Sequence, residues 1–332
     1  MNRVVKFDNY GGPEVLHIIS EDKPDTPLYG EVLVKMSAYA LNRANVLFRE
    51  GNYLYEAEFP SRIGAEAVGV VEKIGAGVST VKVGDRVSLI APQNESLSGY
   101  FADYNLVHEN KLLPVADSLS DLEASTCWVP FLTLYKIFVE SDYIKEESWI
   151  ILPAASSSVA LAANQLVHYL GAKTIGLSRS PQKYETLKSL GYDEVIITQE
   201  GDVEERIKKI TGGGADFAFD SVGGENLVIL INSLKKGSSL CVYGLLSGST
   251  TELPIFPMMA SEVNLSCYSV YELFTDPDCF KQAIEYFLPL FKQRILVPVH
   301  DQHVFDFSDI VDAFKYLESN VQTGKVIIKA EL

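Results

Sequence analysis

The sequence predicts an α/β protein in two parts: a β-rich domain and a domain built on a doubly wound parallel sheet. Three observations carry this expectation. At 332 residues the chain is long for one hydrophobic core of ordinary size. From residue 1 to about 120, short β-branched runs alternate with Gly, Pro, Asn and Asp turns, the texture of antiparallel strands in a small barrel or sandwich. From about 122 to 286, apolar runs are separated by stretches with helical spacing, which reads as parallel βαβ units.

In the first part, strands are expected in "EVLVKMSAYAL", "AVGVVEKIG", "GDRVSLI" and "YFADYNLV". "DLEASTCWVPFLTLYKIFVES" is expected to form one helix joining the two parts. Beyond it, "WIILPA", "TIGLSR", "EVIIT", "FAFDSV" and "SLCVYGL" read as buried parallel strands. The tail from about 287 returns to strand, helix, strand and is expected to fold back onto the first domain. The predicted domains are therefore 1–121 with 287–332, and 122–286.

Composition narrows the function. A formal net charge of −16 disfavours sequence-independent binding to nucleic acid or to anionic lipid, since both need a basic surface. The start "MNRVVKFDNYGGPEVL" lacks the apolar core of a signal peptide, and no segment approaches the ~20 apolar residues that span a bilayer, so a cytoplasmic location is expected. Cys127, Cys241, Cys267 and Cys279 are widely spaced, with no C-x-x-C and no histidine nearby. They read as buried free thiols, not as a disulfide framework or a zinc knuckle.

The stretch "ILPAASSSVALAANQL", residues 151–166, runs from a buried strand into a helix, where α/β proteins cradle a pyrophosphate. Such a turn needs close backbone approach and helix N-terminal N–H groups aimed at the anion. Glycine usually supplies the room; here Ala154, Ser157 and Ala160 are the small residues at the tight points. Ser156, Ser157 and Ser158 can cap the helix and donate hydroxyls to a phosphate, and Val159 follows in the first turn. Serine serves this purpose where the backbone avoids positive φ. Taken alone, the turn also fits an ordinary serine-capped helix.

A second strand ends about twenty residues later, where a dinucleotide-binding unit places its ribose discriminator. An acid there favours NAD. This chain has Ser178 and Arg179, with Lys183 one turn on, and a guanidinium fork suits a 2′-phosphate. The expected cofactor is NADPH. Gly244, at the end of "SLCVY", falls where a missing side chain permits backbone approach to a nicotinamide ring.

These residues, with "YGGPEVL" at 10–16, "GEVLVKMSAYALNRANVLFREGNY" at 30–53, "GAEAVGVVEKIGAGVSTVKVGDRV" at 64–87, "DSVGG" at 220–224 and the closing "TGKVII", resemble the medium-chain dehydrogenase/reductase superfamily. Within it they resemble the zinc-free quinone oxidoreductase and enoyl-thioester reductase branch. The resemblance spans nearly the whole chain and implies a GroES-like catalytic domain beside a Rossmann domain, with the site in a cleft between them. One departure is that the branch normally carries glycines where this chain has Ser157, Ser158 and Ala160.

Zinc-binding relatives carry a cysteine shortly after the "LN" segment and a histidine before the acid that is Glu66 here. This chain has Asn42, Asn45 and Ala65 instead, and no replacement set of ligands is apparent, so no metal is expected. Without a Lewis acid, an activated carbon–carbon double bond or a quinone is the better acceptor. The resemblance implies that Tyr53, in "REGNY", stands at the proton-donating tyrosine, with Asn42 and Asn45 orienting substrate or nicotinamide. It implies further that Thr133 touches the nicotinamide and that Lys325 lies near the phosphates. Trp128, Phe131 and Tyr271 are candidates to line an apolar cleft, with core packing the alternative.

The expected activity is NADPH-dependent hydride transfer to a quinone, an enone or an enoyl thioester, by a homodimer joined through the edge of the Rossmann sheet. A nucleotide-binding redox sensor or scaffold with little turnover is the alternative from another class, and a zinc alcohol dehydrogenase a third.

Overall fold

The structure, a computed structural model, describes residues 1–92 and 94–331. The chain divides into two compact units: Met1–Val129 with Leu288–Leu332, and Pro130–Phe287.

The first unit opens with strands β1 (Asn2–Phe7), β2 (His17–Glu21), β3 (Glu31–Ala40), β4 (Ser61–Arg62), β5 (Glu66–Ile74), β6 (Arg86–Ile90), β7 (Tyr104–His108) and β8 (Leu112–Pro114). Between them lie α1 (Arg43–Glu50) and α2 (Glu95–Ser98), with α3 (Asp121–Ala124) after the last strand. The helix α4 (Trp128–Leu134) leads into a π-helical stretch over Tyr135–Glu140.

The second unit carries β9 (Trp149–Leu152), α5 (Ser158–Tyr169), β10 (Lys173–Ser178), α6 (Tyr184–Ser189), β11 (Glu194–Ile197), α7 (Val203–Thr211), β12 (Ala215–Asp220), α8 (Asn226–Ser233) and β13 (Leu234–Val242). It continues with α9 (Ile255–Ser261), β14 (Asn264–Cys267), α10 (Tyr271–Phe274) and the part of α11 (Pro277–Lys292) up to Phe287. The strands β15 (His300–Asp306) and β16 (Lys325–Lys329), with α12 (Ile310–Ser319) between them, return to the first unit.

In the first unit the main sheet runs β15-β16-β3-β5-β6-β8, and β7 also pairs with β3. Its pairs are antiparallel except β15 with β16. β3 carries residues from both of its faces into the interior, since Val32, Leu33, Val34, Met36 and Tyr39 are all buried. The core around it takes in Phe48 from α1, Phe101, and Phe307 and Phe314 from the tail. A cation fixes α1 to α12: Arg49 is fully buried, and its guanidinium donates to Glu318 at 2.7 Å and to the Gly11 carbonyl at 2.9 Å.

The second unit is one parallel sheet in the order β11-β10-β9-β12-β13-β14. The chain winds outward from β9 to β11 on one side and from β12 to β14 on the other. This creates a switch point at the carboxyl ends of β9 and β12, the place where doubly wound sheets bind ligands. The central strands read as continuous apolar runs because helices cover both faces. Ile151, Ile175, Ala218 and Leu240 pack there with Leu230 and Ile231 of α8.

Three expectations need correction. The single joining helix is broken into α3, α4 and the π-helical stretch, because Pro130 has no N–H and would clash with the carbonyl four residues back in a continuous helix. Restarting the helix at Trp128 puts Pro130 in the first turn, where a missing donor costs nothing. Trp128 and Phe131 are each 1% exposed and pack edge-on or tilted against Phe291 and Phe287, so both are core residues and not cleft lining. Cys267 is exposed, because it lies on the edge strand β14, while Cys127, Cys241 and Cys279 are buried.

Candidate functional site

The turn between β9 and α5 is tight and internally bonded. The Ser157 N–H donates to the Ala154 carbonyl at 2.8 Å, and the Ala155 N–H reaches across to Leu177 at 3.0 Å. Ser157 has φ −74° and ψ 153°, and its hydroxyl accepts from the Ala160 N–H at 3.3 Å, making it the N-cap of a 12-residue helix. The strain lies one step earlier: Ala154 sits at φ 47°, in the left-handed region where an L side chain costs about 1–2 kcal/mol. The backbone here does not avoid positive φ; it displaces it from the serines onto an alanine. Ser158 and Val159 open the helix half-buried, with Ala160 against the sheet.

Neighbouring elements hold this turn in place. The buried Tyr192 phenol donates to the Ala155 carbonyl at 2.9 Å. Gly176 on β10 is required there, since a Cβ would meet the Tyr192 ring at 2.9 Å and the Ala155 methyl at 3.0 Å. The Lys183 ammonium donates to the Ser156 hydroxyl at 2.8 Å, joining two residues expected to act on the same ligand. Tyr243, stacked on Phe219 with ring centroids 3.9 Å apart, turns its phenol toward Ser221 and Ser157, and burial raises its pKa.

At the end of β10, Ser178 is buried and closes on the backbone of Ser180, accepting from its N–H at 3.2 Å. Ser178 is thus occupied locally. Arg179 is exposed and makes no hydrogen bond or ion pair with the described residues. Across the switch point, Asp220 caps the following loop by accepting from the N–H groups of Val222 and Gly223, each at 2.9 Å; burial pushes its carboxyl up. Gly223 and Gly224 have φ 68° and 60°, which explains the glycine pair in "DSVGG". Gly244 has a reason of its own within this unit: a Cβ would lie 2.8 Å from the Ser221 carbonyl oxygen. Thr133 is buried on α4.

In the first unit, Asn42 and Asn45 lie within a buried polar network. The Asn42 N–H donates to Asn45 Oδ1 at 2.9 Å, closing the start of α1. Asn45 Nδ2 donates to Glu95 Oε1 at 2.9 Å, and the Gly64 N–H donates to the same oxygen at 2.9 Å. The Tyr55 hydroxyl bonds Glu95 Oε2 at 3.1 Å. A second carboxylate, Glu66, accepts from Asn42 Nδ2 at 3.3 Å and from the Val129 N–H at 2.9 Å, and pairs with the Lys325 ammonium at 3.1 Å. Lys325 also donates to Asn42 Oδ1 at 2.5 Å. Tyr53 is half-buried on the loop after α1, its ring edge-on to Tyr55 at 5.1 Å.

This network holds three of the expected site residues. Lys325, expected near the phosphates, is 4% exposed and pairs with the buried Glu66 carboxylate in the first unit. Asn45, expected to orient substrate or nicotinamide, is fully buried with both ends of its amide engaged by Asn42 and Glu95. Asn42, 9% exposed, is held between Lys325 and Glu66. Glu95 and Tyr55 carry no signal in the sequence beyond an acid behind the Asn94 cap and the repeated tyrosine of "YLY"; only the fold brings them together. Tyr192 and Tyr243 were likewise hidden among 17 tyrosines.

The environment of Glu66 does not suit zinc. Its neighbours are an amide and an ammonium, the buried Cys127 thiol that feels its charge is pushed up by desolvation, and among the described residues no three His, Cys, Asp or Glu side chains form a metal-binding group. No helix of the described residues is long and apolar enough to cross a membrane.

Comparison with known proteins agrees with this architecture. Residues 29–117 match the family model described as alcohol dehydrogenase GroES-like domain, and residues 158–288 the one described as zinc-binding dehydrogenase. The chain is 29% identical to quinone oxidoreductase 1 of Escherichia coli over 332 residues, covering 98% of each protein. It is 31% identical over 268 residues to the mitochondrial enoyl-[acyl-carrier-protein] reductase of Caenorhabditis elegans, covering 79% of this chain and 76% of that protein. The crystal structure of Escherichia coli quinone oxidoreductase complexed with NADPH superposes with a TM-score of 0.88 at 27% identity, over 99% of this chain and all of that one. The chain belongs to the medium-chain dehydrogenase/reductase superfamily, in the branch of the quinone oxidoreductases and enoyl-thioester reductases.

Proposed function

We propose that this protein is an NADPH-dependent oxidoreductase that reduces a quinone or an α,β-unsaturated carbonyl without zinc. The observation that carries the cofactor choice is Arg179, an exposed guanidinium with no partner among the described residues, just past the end of β10 and four residues before Lys183 in the sequence. An acid at that place would repel a 2′-phosphate, and a planar fork of donors grips it.

The residues present fit the coenzyme. Ser157 and the first N–H groups of α5 provide donors for a pyrophosphate, and the Lys183–Ser156 pair adds a cation beside them. Arg179 takes the 2′-phosphate. Thr133 and Gly244 are assigned to the nicotinamide end. When bound, NADPH supplies the hydride. The protein positions the acceptor, and Tyr53 donates a hydrogen bond to the carbonyl oxygen as enolate charge develops. Glu66 and Lys325 pair with each other and hold Asn42, which closes the start of α1, the helix that precedes Tyr53.

Supporting the reading are the small, hydroxylated turn and the relatives named as quinone oxidoreductases and enoyl reductase. A homodimer joined along β14, the edge strand of the parallel sheet, belongs to the same proposal. Titration with NADPH followed by fluorescence, then oxidation with 1,4-quinones and crotonyl thioesters, tests it. Saturable binding with turnover of at least one acceptor is expected. Binding without turnover on any acceptor would instead favour a redox sensor.

A further inference from the structure

Three hydroxyls converge at the switch point of the parallel sheet. Ser157 heads α5 in the turn after β9, Ser221 follows β12, and Tyr243 follows β13. The parallel register sets Asp220 opposite Val242, so Ser221 and Tyr243 lie side by side at the carboxyl ends of their strands. Tyr243 is fixed there: its N–H donates to the Asp220 carbonyl at 2.8 Å, and its ring lies 14° from parallel with Phe219. Burial raises its pKa, while the nearby Ser221 and Ser157 hydroxyls act in the opposite sense, as O–H groups turned toward the phenol oxygen do. The approach of Ser221 stops short of a hydrogen bond. Its hydroxyl, in a residue only 6% exposed, has no hydrogen-bond partner among the described residues. A buried hydroxyl in that state is costly unless a ligand or water completes it.

We propose that Ser221 and Tyr243 bind the coenzyme, donating to the phosphate on the nicotinamide side of its pyrophosphate. The inference rests on the reading above, in which the coenzyme lies across the turn at the start of α5. The sheet order β10-β9-β12-β13 decides which half of the coenzyme these hydroxyls meet. Arg179 follows β10 on one side of β9 and is assigned the adenosine end. Ser221 and Tyr243 follow strands on the other side, next to Gly244, and so fall to the nicotinamide half.

The surroundings suit an anion. Ser157 Oγ accepts from the Ala160 N–H at 3.3 Å, which leaves its own proton to donate. The Ser158 and Val159 N–H groups, in the first turn of α5, have no carbonyl within the helix to meet. The carboxylate beside Ser221, Asp220, is turned to the N–H groups of Val222 and Gly223 and to Asn226 Nδ2 at 3.4 Å. Burial pushes that carboxyl up, which lessens its repulsion of a phosphate. A phosphate oxygen supplies the acceptor that Ser221 lacks and takes the Tyr243 proton while the ring stays on Phe219. The pyrophosphate is then held by the ends of two neighbouring strands as well as by α5.

The test measures dissociation constants by calorimetry on the full chain with three ligands. Adenosine 2′,5′-bisphosphate lacks the second phosphate of the pyrophosphate, 2′-phosphoadenosine 5′-diphosphate adds it, and NADPH carries the nicotinamide half as well. Tyr243→Phe and Ser221→Ala are each expected to weaken NADPH and the diphosphate by about tenfold, the size of a hydrogen bond to an anion. The bisphosphate should stay within about twofold of wild type, which also shows that the turn is intact. Tyr243→Phe keeps the ring on Phe219 and removes only the hydroxyl, so it carries the test if Ser221→Ala fails to fold. NADH should lose as much as NADPH, in contrast to the loss expected from a change at Arg179. Variants that bind the diphosphate as wild type does, or that lose all three ligands alike, would overturn the inference while leaving the coenzyme reading intact. Wild type that binds none of the three would remove both.

Discussion

Lys325→Met isolates the contribution of the buried pair beneath Asn42. In wild type the Lys325 ammonium lies 3.1 Å from Glu66 and 2.5 Å from Asn42 Oδ1, and neither charged side chain is more than 4% exposed. Removing the cation leaves Glu66 with the Asn42 amide at 3.3 Å and the Val129 N–H at 2.9 Å as its remaining partners. A buried charge stripped of its counter-ion costs about 3–5 kcal/mol. For a unit of this size that corresponds to a fall of about 6–20 °C in melting temperature. The chain has two tryptophans, Trp128 in the first unit and Trp149 in the second, so fluorescence in a Trp149→Phe background follows the unit that holds the pair. The partner variant Glu66→Gln removes the orphaned charge, and the double variant should recover more than half of the loss, because the two sites interact directly. A Lys325→Met protein within about 1 kcal/mol of wild type, or a double variant in which the two losses simply add, would refute the reasoning.

Three further outcomes are expected. Ala154→Gly relieves the left-handed strain at φ 47°, and after the greater freedom of glycine in the unfolded chain is subtracted it should stabilise the second unit by about 0.5–1 kcal/mol, read as a raised melting temperature. Ser157→Ala removes the acceptor for the Ala160 N–H and should cost about 1 kcal/mol in urea unfolding, together with weaker NADPH binding. Tyr53→Phe should lower turnover by about 10²-fold with the NADPH dissociation constant nearly unchanged; equal rates for every acceptor would reduce Tyr53 to packing.

The parallel sheet was legible because its strands are buried on both faces and therefore appear as unbroken apolar runs such as "WIIL" and "EVII". The cap at Ser157 was legible for a similar reason: hydroxyl chemistry just ahead of a helix is local. The left-handed backbone at Ala154 was not, since alanine gives no sign of positive φ. Nor was the place of Lys325, whose partner Asn42 lies 283 residues away. Its neighbours depend on β16 pairing antiparallel with β3, which sets Ile327 opposite Ala40 and brings the tail to the start of α1. Glu95 stayed hidden for the same reason: its meaning comes from Asn45, 50 residues earlier, and from a loop that only the folded sheet brings near. The break in the joining helix is masked in the sequence by continuous apolar spacing, while Pro130, through its missing donor, decides where the helix restarts.

The central claim is that a glycine-poor turn beside a guanidinium binds the phosphorylated coenzyme. Dissociation constants of NADPH and NADH, measured by fluorescence for wild type and Arg179→Ala, address it most directly. Wild type should favour NADPH, and the variant should lose about 10- to 100-fold for NADPH, the equivalent of a charge-assisted hydrogen bond, with NADH unchanged. Equal losses for both coenzymes, or a wild type that binds neither, would contradict it.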